Sequence, residues 1–582
     1  MKKHYWLLLI FVAGLYLLPV IFRPLMSPDE FRCAEISREM IERGDFITPK
    51  LLNARYFENT PMGYWLTAAS FKIFGQNAFA LRLIPFLGAL GSALLLGVWC
   101  LKRKYSSETA LNAVFFYLAG SMVWVYGTFA SLDSLFCLWL TGTMVCFAIA
   151  MESRELKERL LWLTGAGIAV GCGFLTEGFP AYILPGLSIT AYLLWQRRWK
   201  EFLILPWLPL IVSFLVVAPW GMAIHKAEPD FWHYFVIYGQ IQRFMTGASS
   251  QVAAPFWILA PFLLFGLFPA AFPVLAGSSE LRKNGMEEFR RSPEVRLALC
   301  CVLLPFIFLS FSAGKQPSWV LPCFAPCAML GALFLDKTEP ERLIASLRRL
   351  TTTTAVLFII IGSLALLAGL FYLLWGTGFI PSLPLKIAVW APFLTTTALG
   401  MIISGTVFVI YRRSKLPEPA SYFILFAGVF LISSWFLPGF TGYCKMPEYE
   451  LLEIASKLSA KNVKRLRIIA SPKLMHAAAW CFKDSSLQLY NHYGELEYGH
   501  KSAIARGERA IMLKESEIET IISTPHKEGF LILQCKGEDP FFKRHHFGLG
   551  EDIMTDGEVW AFYYPPNVIT DPPRRRPRYP MK

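Results

Sequence analysis

Charged residues are scarce in this chain: Asp, Glu, Lys and Arg together make up only 17% of its 582 residues. Hydrophobic residues make up 55%, and the mean hydropathy is +0.44. A soluble protein of this size needs a more polar surface, so the composition excludes that class. It indicates an integral membrane protein.

Acidic residues are the scarcer of the two charge types, since 42 Asp and Glu stand against 56 Lys and Arg, a net charge of +14. A basic excess can indicate nucleic-acid binding. Here, however, the Lys/Arg clusters occupy short connectors between apolar runs, as the positive-inside rule requires. We therefore interpret the charge as a topology signal and predict no nucleic-acid partner.

Metal-ligand spacings are missing as well. None of the twelve cysteines stands in a CxxC motif, and no His/Cys pattern has the spacing of a zinc site. Most cysteines lie in apolar runs, where packing explains them. Cys444, Cys481 and Cys535 fall in the C-terminal part, where a disulfide is permitted, but the sequence does not select a pair.

Long hydrophobic runs are abundant, and thirteen of them meet or approach the roughly 20 residues that cross a bilayer. No small-residue cleavage site follows the first run, so we expect a retained helix rather than a signal peptide. The predicted spans are 5–22, 80–101, 109–130, 132–150, 160–176, 179–195, 202–224, 256–276, 297–312, 319–335, 352–375, 384–411 and 420–437.

The connectors give an orientation. Starting from a cytoplasmic N-terminus, every second connector is basic, which places the first loop and the C-terminal part outside the cytoplasm. Strand-like runs at 466–470 and 530–534 and an amphipathic run at 449–458 predict an α/β domain over 438–570. The last residues, 571–582, are rich in Pro and Arg and are predicted to be disordered.

The first loop, residues 23–64, is exceptional because it concentrates ionisable groups beside a bilayer. Charges near hydrocarbon usually face a water-filled cavity or pair with one another. Asp29 and Glu30 stand at the outer boundary of the first span, and Asp133 reaches the same boundary from another span. Separate helices that bring carboxylates to one depth predict a polar cavity.

Three basic residues are predicted at the same outer surface: Arg55, Arg243 and Lys315. Guanidinium and ammonium groups suit phosphate. Other interpretations stay open, because Asp29, Glu30 and Asp133 are also typical helix N-terminal residues, and the arginines are also natural ion-pair partners.

Several motifs in this order resemble the undecaprenyl-phosphate aminoarabinose transferases that modify lipid A. These motifs are Pro28-Asp29-Glu30, Ala34-Glu35-Ile36-Ser37-Arg38-Glu39-Met40, Gly44-Asp45-Phe46, Arg55-Tyr56-Phe57-Glu58, Ser131-Leu132-Asp133, Gly173-Phe174-Leu175-Thr176, Ile241-Gln242-Arg243-Phe244 and Gly314-Lys315. The resemblance covers essentially the whole membrane part of the chain.

The resemblance implies a mainly α membrane protein with a C-type glycosyltransferase (GT-C) bundle of about 13 transmembrane helices, interfacial helices and a small C-terminal periplasmic α/β domain. The implied domains are 1–437 for the membrane part, with 23–79 as the first periplasmic loop, then 438–570 and the tail 571–582. It also implies a monomeric enzyme of the bacterial inner membrane, surrounded by membrane lipids.

The implied activity is an inverting transfer of an aminoarabinose-like pentosyl or hexosyl group from a polyprenyl phosphate to lipid A or a related envelope acceptor. Asp29 and Asp133 would be the catalytic residues. The residues implied in substrate binding are Glu30, Arg55, Glu58, Arg243 and Lys315.

Five positions depart from the family pattern: Asn59, Glu177, Gly239, Gln240 and Trp319. Asn59 and Glu177 replace family lysines, Gly239-Gln240 replaces Glu-His, and Trp319 replaces tyrosine. Without that histidine Glu58 lacks a partner for a divalent metal ion, so the sequence identifies no cofactor, and a divalent metal stays an open alternative. A catalytically impaired member that binds lipid-linked sugar therefore stays an alternative. A lipid-linked sugar transporter is another, although the sequence shows neither the inverted repeats nor the paired broken helices that would favour it.

Overall fold

The structure is a computed structural model that describes residues 3–247, 254–268, 292–337, 340–374, 398–399, 401–403, 405–406, 409, 447–460, 466–490, 492–523, 528–535, 551–554 and 559–565. The chain forms two compact units. The helical unit comprises Met1–Arg23 and Phe57–Phe440, and the α/β unit comprises Pro24–Tyr56 and Thr441–Lys582. Most of the first loop thus folds with the C-terminal part, a grouping that the predicted boundary at residue 437 does not anticipate.

The helical unit consists of helices joined by short connectors. Its helices in chain order are Lys3–Phe22, Met62–Phe74, Ala78–Lys102, Ser107–Leu118, Ser121–Gly127, Asp133–Ala150, Leu156–Glu177, Pro180–Trp195, Trp199–Ile204, Trp207–Ala227, Phe231–His233, the π-helix Tyr234–Gln242, Arg243–Thr246, the 3-10 turn Phe256–Ile258, Leu259–Gly266, Pro293–Ser310, the 3-10 turn Pro317–Cys323, Phe324–Lys337 and Pro340–Leu374.

Within the described residues, six helical stretches are long and apolar enough to cross a membrane. A seventh is counted if Ser107–Leu118 and Ser121–Gly127, which meet at 69°, form one span. The run predicted at 109–130 is thus a bent pair of helices, with Gly120 in extended backbone at the break. The multi-pass membrane class is confirmed.

The count of thirteen spans stays a prediction. The run at 420–437 lies outside the described residues, as does most of 384–411, while the helices at 180–195 and 256–266 are apolar but shorter. The described residues contain one bent pair of helices. The transporter alternative would need two in corresponding halves of the chain.

Close helix packing in the helical unit depends on glycine at one notable position. A Cβ atom on Gly88 would lie 2.8 Å from the carbonyl carbon and oxygen of Ser134 and 2.9 Å from the amide nitrogen of Leu135. These are backbone atoms of the facing helix, so they cannot rotate away as a side chain would. The contact brings Ala78–Lys102 and Asp133–Ala150 together and so positions Asp133.

We expect Gly88→Ala to lower the free energy of unfolding by about 1–3 kcal/mol, the usual cost of overpacking. The matched control is Gly186→Ala, because Gly186 also lies in a helix but has no atom within 4 Å of its ideal Cβ position. Unfolding of the purified protein in detergent measures both variants. Equal stability of the two variants would contradict the close packing at Gly88.

The α/β unit contains a hairpin and a six-stranded sheet. The hairpin strands are β1 (Lys50–Leu51) and β2 (Ala54–Arg55). The sheet strands are β3 (Leu466–Ala470), β4 (Gln488–Tyr490), β5 (Met512–Leu513), β6 (Gly529–Cys535), β7 (Glu551–Met554) and β8 (Val559–Tyr564). Their order is β5-β4-β3-β6-β8-β7.

In the sheet, β5, β4, β3 and β6 run parallel, and β8 and β7 pair antiparallel. The core contains Ile469, Tyr490, Leu513, Ile518, Phe530, Ile532 and Tyr564. The helical elements of this unit are Asp29–Arg43, Glu448–Ala460, Met475–Phe482, the 3-10 turn Gly494–Leu496, Glu497–Ala505 and Glu515–Ser523. Strands β3 and β6 and helix Glu448–Ala460 confirm the local predictions at 466–470, 530–534 and 449–458.

The cysteine pairing that the sequence leaves open remains so. Cys481 and Cys535 are free thiols in the structure, while Cys444 lies outside the described residues. The predicted tail at 571–582 also lies outside them.

Candidate active site

Asp29 opens the helix Asp29–Arg43, whose first turn is acidic and whose last residue is basic, as the helix dipole favours. Gly44 ends the helix in left-handed backbone, at φ +66°, and its N–H donates to the Ile41 carbonyl. Asp29 Oδ1 accepts a hydrogen bond from Arg32 Nη2. The Asp29 side chain is still 41% exposed, so its carboxylate remains accessible to a substrate.

The Arg32 guanidinium has a second carboxylate partner from the C-terminal part of the α/β unit. Its Nη1 donates to Glu495 Oε2 at 2.7 Å, and His476 Nε2 lies 2.7 Å from Glu495 Oε1. Burial alone would raise the pKa of the Glu495 carboxyl. Arg32 and the hydrogen bond from His476 outweigh burial and lower that pKa to about 2. A continuous chain of charged contacts thus leads from Asp29 to a buried histidine.

Glu495→Gln is expected to destabilise the α/β unit near neutral pH, and this loss should shrink as the pH falls from 4.5 towards about 2. A carboxyl with a lowered pKa contributes stability above its ordinary value of 4.5, and the contribution disappears as the folded carboxyl takes up a proton. Unfolding midpoints of both proteins across this pH range measure the effect. A constant difference would contradict the ion pair.

Glu30 is fully buried in the same helix, and its Oε2 accepts a hydrogen bond from the backbone N–H of Met26 at 2.8 Å. This contact closes the turn that leads into the helix. The structure therefore gives Glu30 a local structural contact, and its role in substrate binding stays a prediction.

Arg55 lies on β2, at the end of a hairpin whose two turn residues have positive φ, 55° at Leu52 and 59° at Asn53. The buried Glu39 carboxylate holds this turn by accepting the N–H of Leu52 at 2.6 Å and that of Asn53 at 3.1 Å. These hydrogen bonds fix the backbone that carries Arg55.

The Arg55 guanidinium forms a two-point ion pair with Glu508, with both distances at 2.9 Å. Arg55 is buried, whereas the Glu508 side chain is 44% exposed. The hydrogen bond from Arg55 lowers the pKa of Glu508. Since a carboxylate and a phosphate fit the same guanidinium fork, a phosphate bound by Arg55 would compete with Glu508.

In the helical unit, Asp133 begins the helix Asp133–Ala150 and is partly exposed. Glu177 ends the helix Leu156–Glu177 and interacts electrostatically with both Asp133 and Arg243. Arg243 follows the π-helix Tyr234–Gln242, an irregularity that is frequent at functional sites. The structure thus places two predicted site residues, Asp133 and Arg243, within electrostatic range of Glu177.

Lys315 lies in a connector that is hydrogen-bonded to the residue after Arg243. Ala313 N–H and Ser312 Oγ donate to the Phe244 carbonyl at 3.0 and 3.2 Å. Lys315 Nζ donates to the carbonyls of Ala254 and Ser312 at 2.9 and 2.6 Å. Burial lowers its pKa, and within the described ranges no carboxylate pairs with it. An ammonium group held only by neutral carbonyls can still attract an anion.

Glu58 is partly buried in a segment that contacts the same helices. The neighbouring Phe57 packs edge-on against Phe231 with ring centroids 5.0 Å apart, and Thr60 Oγ1 donates to the Phe174 carbonyl at 2.8 Å. Glu58, Asp133, Arg243 and Lys315 therefore all lie on segments of the helical unit that are linked by contacts. Asp29, Glu30 and Arg55 lie in the α/β unit.

Sequence reasoning missed Arg32, His476, Glu495 and Glu508 as neighbours of the predicted site residues. Only Arg32 had a usable signal, since its i,i+3 spacing from Asp29 puts the two on one helical face. Glu495 and Glu508 lie more than 400 residues from Arg32 and Arg55, and His476 reaches this site only through Glu495. No local pattern reports such contacts.

In the part of the chain that the structure describes, no three His, Cys, Asp or Glu side chains are grouped to hold a metal ion. Glu58 has no such cluster around it there. We therefore derive no step through a metal ion.

The chain is similar to known proteins in fold and in sequence. ArnT from Cupriavidus metallidurans bound to undecaprenyl phosphate superposes with a TM-score of 0.78 at 19% identity, covering 97% of this chain and 98% of ArnT. The family model of dolichyl-phosphate-mannose-protein mannosyltransferases matches residues 3–235. Two relatives carry the name undecaprenyl phosphate-alpha-4-amino-4-deoxy-L-arabinose arabinosyl transferase. The relative from Pectobacterium carotovorum is 35% identical, over 84% of this chain and 86% of its own length. That from Erwinia tasmaniensis is 31% identical, over 95% and 97%.

The fold and these relatives define a multi-pass membrane glycosyltransferase of the GT-C class. The chain belongs to the family of undecaprenyl phosphate-alpha-4-amino-4-deoxy-L-arabinose arabinosyl transferases, which confirms the resemblance drawn from the sequence.

Proposed function

We propose that this protein transfers 4-amino-4-deoxy-L-arabinose from undecaprenyl phosphate to lipid A or a related glycolipid, at the periplasmic face of the bacterial inner membrane. The observation that carries the proposal is the 35% identity to an arabinosyl transferase over 84% of the chain.

The reaction we infer is an inverting substitution at the anomeric carbon. A phosphate oxygen of the acceptor attacks this carbon, its bond to the donor phosphate breaks, and undecaprenyl phosphate leaves with the bonding electrons. A phosphate nucleophile is already ionised, so the enzyme's main tasks are orientation and stabilisation of the leaving phosphate. A hydroxyl acceptor would also need a base, and the accessible Asp29 carboxylate suits that role.

The basic residues would bind the phosphates. Lys315 is the best supported of them, because its ammonium group is buried and held only by backbone carbonyls within the described residues. Arg55 would bind phosphate in exchange for Glu508. Arg243, beside Glu177 and Asp133, would face the sugar or the second phosphate, with Glu30 and Glu58 as further polar contacts.

Mass spectrometry of envelope lipids tests the proposal. Lipids from a deletion strain are compared with those from strains that express the wild type, Asp29→Ala or Asp133→Ala. We expect the wild type to add one aminopentose to lipid A and both variants to add none. A wild type that adds no sugar to any envelope lipid, although it is expressed in the membrane, would refute the proposal.

A second candidate function is binding of the lipid-linked sugar without transfer. Its support is that the Arg55 guanidinium is already paired with Glu508, and that Asn59 stands where the family resemblance implies a lysine. Binding of undecaprenyl phosphate by purified wild type that transfers no sugar would support this function.

A further inference from the structure

A chain of side chains connects the exposed Asp29 carboxylate to the interior of the α/β unit. Arg32 contacts Asp29 through Nη2 and Glu495 through Nη1, and Glu495 contacts His476 through its other oxygen. The exposed fractions of the side chains fall along the chain, from 41% at Asp29 to 17% at Arg32, 11% at Glu495 and 4% at His476. Only the Asp29 end is open to a substrate.

Glu495 fixes the guanidinium group in this chain. A guanidinium held by one carboxylate alone can rotate about its side-chain bonds, because Arg has several of them. With Glu495 on Nη1, the plane of the group is set, and Nη2 then meets one particular oxygen of Asp29. Among the described residues, Asp29 Oδ1 is the oxygen that Arg32 contacts, and the side chain keeps 41% of its surface exposed.

His476 holds Glu495 in the way that Glu495 holds Arg32. Its Nε2 contacts Glu495, while its Nδ1 is buried and has no hydrogen-bond partner among the described residues. Among the described residues, this ring therefore makes its hydrogen bond with Glu495. A buried carboxylate with two partners, one on each oxygen, has a single preferred orientation.

We propose that Glu495, oriented by His476, is a positioning residue that acts on Asp29 through Arg32. The inference rests on the proposed catalytic function of Asp29. A purely structural alternative is that the Arg32–Glu495 pair only ties the first loop to the C-terminal part of the α/β unit. In the positioning role, removing the charge of Glu495 changes the contribution of Asp29 to sugar transfer. In the structural role, it changes only stability.

The activity test uses the full-length enzyme in detergent, with undecaprenyl phosphate-linked aminoarabinose as donor and lipid A as acceptor. Glu495→Gln keeps the shape and removes the charge. We expect kcat to fall about 10- to 100-fold, the effect of a misplaced reacting group, with KM changed less than about twofold. A wild-type kcat for Glu495→Gln in an active enzyme overturns the proposal.

Two further variants sharpen this test. His476→Phe removes the N–H donor and keeps a ring, so it should lower kcat, whereas His476→Gln restores a donor and should recover part of the loss. The matched control is Glu497→Gln, because Glu497 lies two residues away, is 60% exposed and pairs only with Lys501 among the described residues. It should leave kcat and KM unchanged.

A double-mutant cycle separates this inference from the proposed function. Apparent unfolding midpoints are measured for wild type, Asp29→Asn, Glu495→Gln and the double variant. Communication through Arg32 predicts that the two midpoint shifts are not additive. Additive shifts overturn the positioning role, whatever the activity. If the wild type transfers no sugar, the proposed function fails by itself, and the cycle still decides whether Glu495 acts on Asp29.

Discussion

Asp29→Asn is expected to reduce sugar transfer by about 10²-fold with a phosphate acceptor, the cost of lost orientation, and by up to about 10⁴-fold with a hydroxyl acceptor, which also needs a base. Asparagine preserves the shape of the side chain but removes the negative charge that meets Arg32 at the exposed start of the helix. Because the side chain only partly contributes to packing, the protein should still fold. Initial rates with saturating donor and acceptor measure the change.

The matched control is Asp230→Asn. Asp230 stands at a helix N-terminus, as Asp29 does, and is exposed, but it lies in the helical unit and is not among the predicted site residues. It should retain wild-type rates. Transfer by Asp29→Asn within about threefold of wild type would remove Asp29 from the mechanism. The sugar would then have to be oriented by the cluster of Asp133, Glu177 and Arg243 instead.

Arg38→Met is expected to lower the free energy of unfolding by about 3–5 kcal/mol, because it leaves a buried carboxylate unpaired. Arg38 and Glu35 are both fully buried, one turn apart, and joined by two hydrogen bonds of 2.8 and 2.5 Å. Burial raises the pKa of Glu35, and Arg38 opposes that shift. Without the guanidinium, Glu35 must take up a proton or remain charged in a buried site without its hydrogen-bond partner. Chemical unfolding in detergent measures the loss.

Replacing both members of the pair tests the reason for this loss. Arg38→Met with Glu35→Leu removes the buried charge, so stability should recover to near wild type. Lys501→Met, which breaks the exposed pair with Glu497, is the control and should have no measurable effect. If the double variant is as unstable as the single one, packing of the arginine stem, and not charge, holds this helix.

Local sequence patterns predicted much of the fold. The length of the apolar runs and the basic connectors indicated the multi-pass class. The bilayer requires a minimum length of every span, and basic connectors favour the cytoplasmic side. Strands β3 and β6 were visible as short runs of branched residues. The bend at Gly120 was not visible in the sequence, because apolar residues continue through it. Packing against neighbouring helices determines where the break lies.

The candidate site residues stay predictions, and the sequence indicated only part of their surroundings. Asp29, Asp133, Arg55, Arg243 and Lys315 were selected by their place at span boundaries and by family motifs, and the structure provides charged or polar contacts around them. Their partners were not predictable. Glu508 for Arg55 and Glu495 for Arg32 come from the far end of the chain, and nothing in either local sequence indicates the other.

By itself the sequence determined that this chain spans a membrane many times and carries a charged first loop, and its motifs, in their order, resemble those of lipid-linked sugar transferases. These properties follow from composition, periodicity and motif order, which are local. Only the tertiary structure decided that residues 24–56 fold with the C-terminal part and that Glu495 and His476 stand behind Asp29. Such contacts arise when distant segments bury their apolar faces together, and the polar partners that result are fixed by that packing.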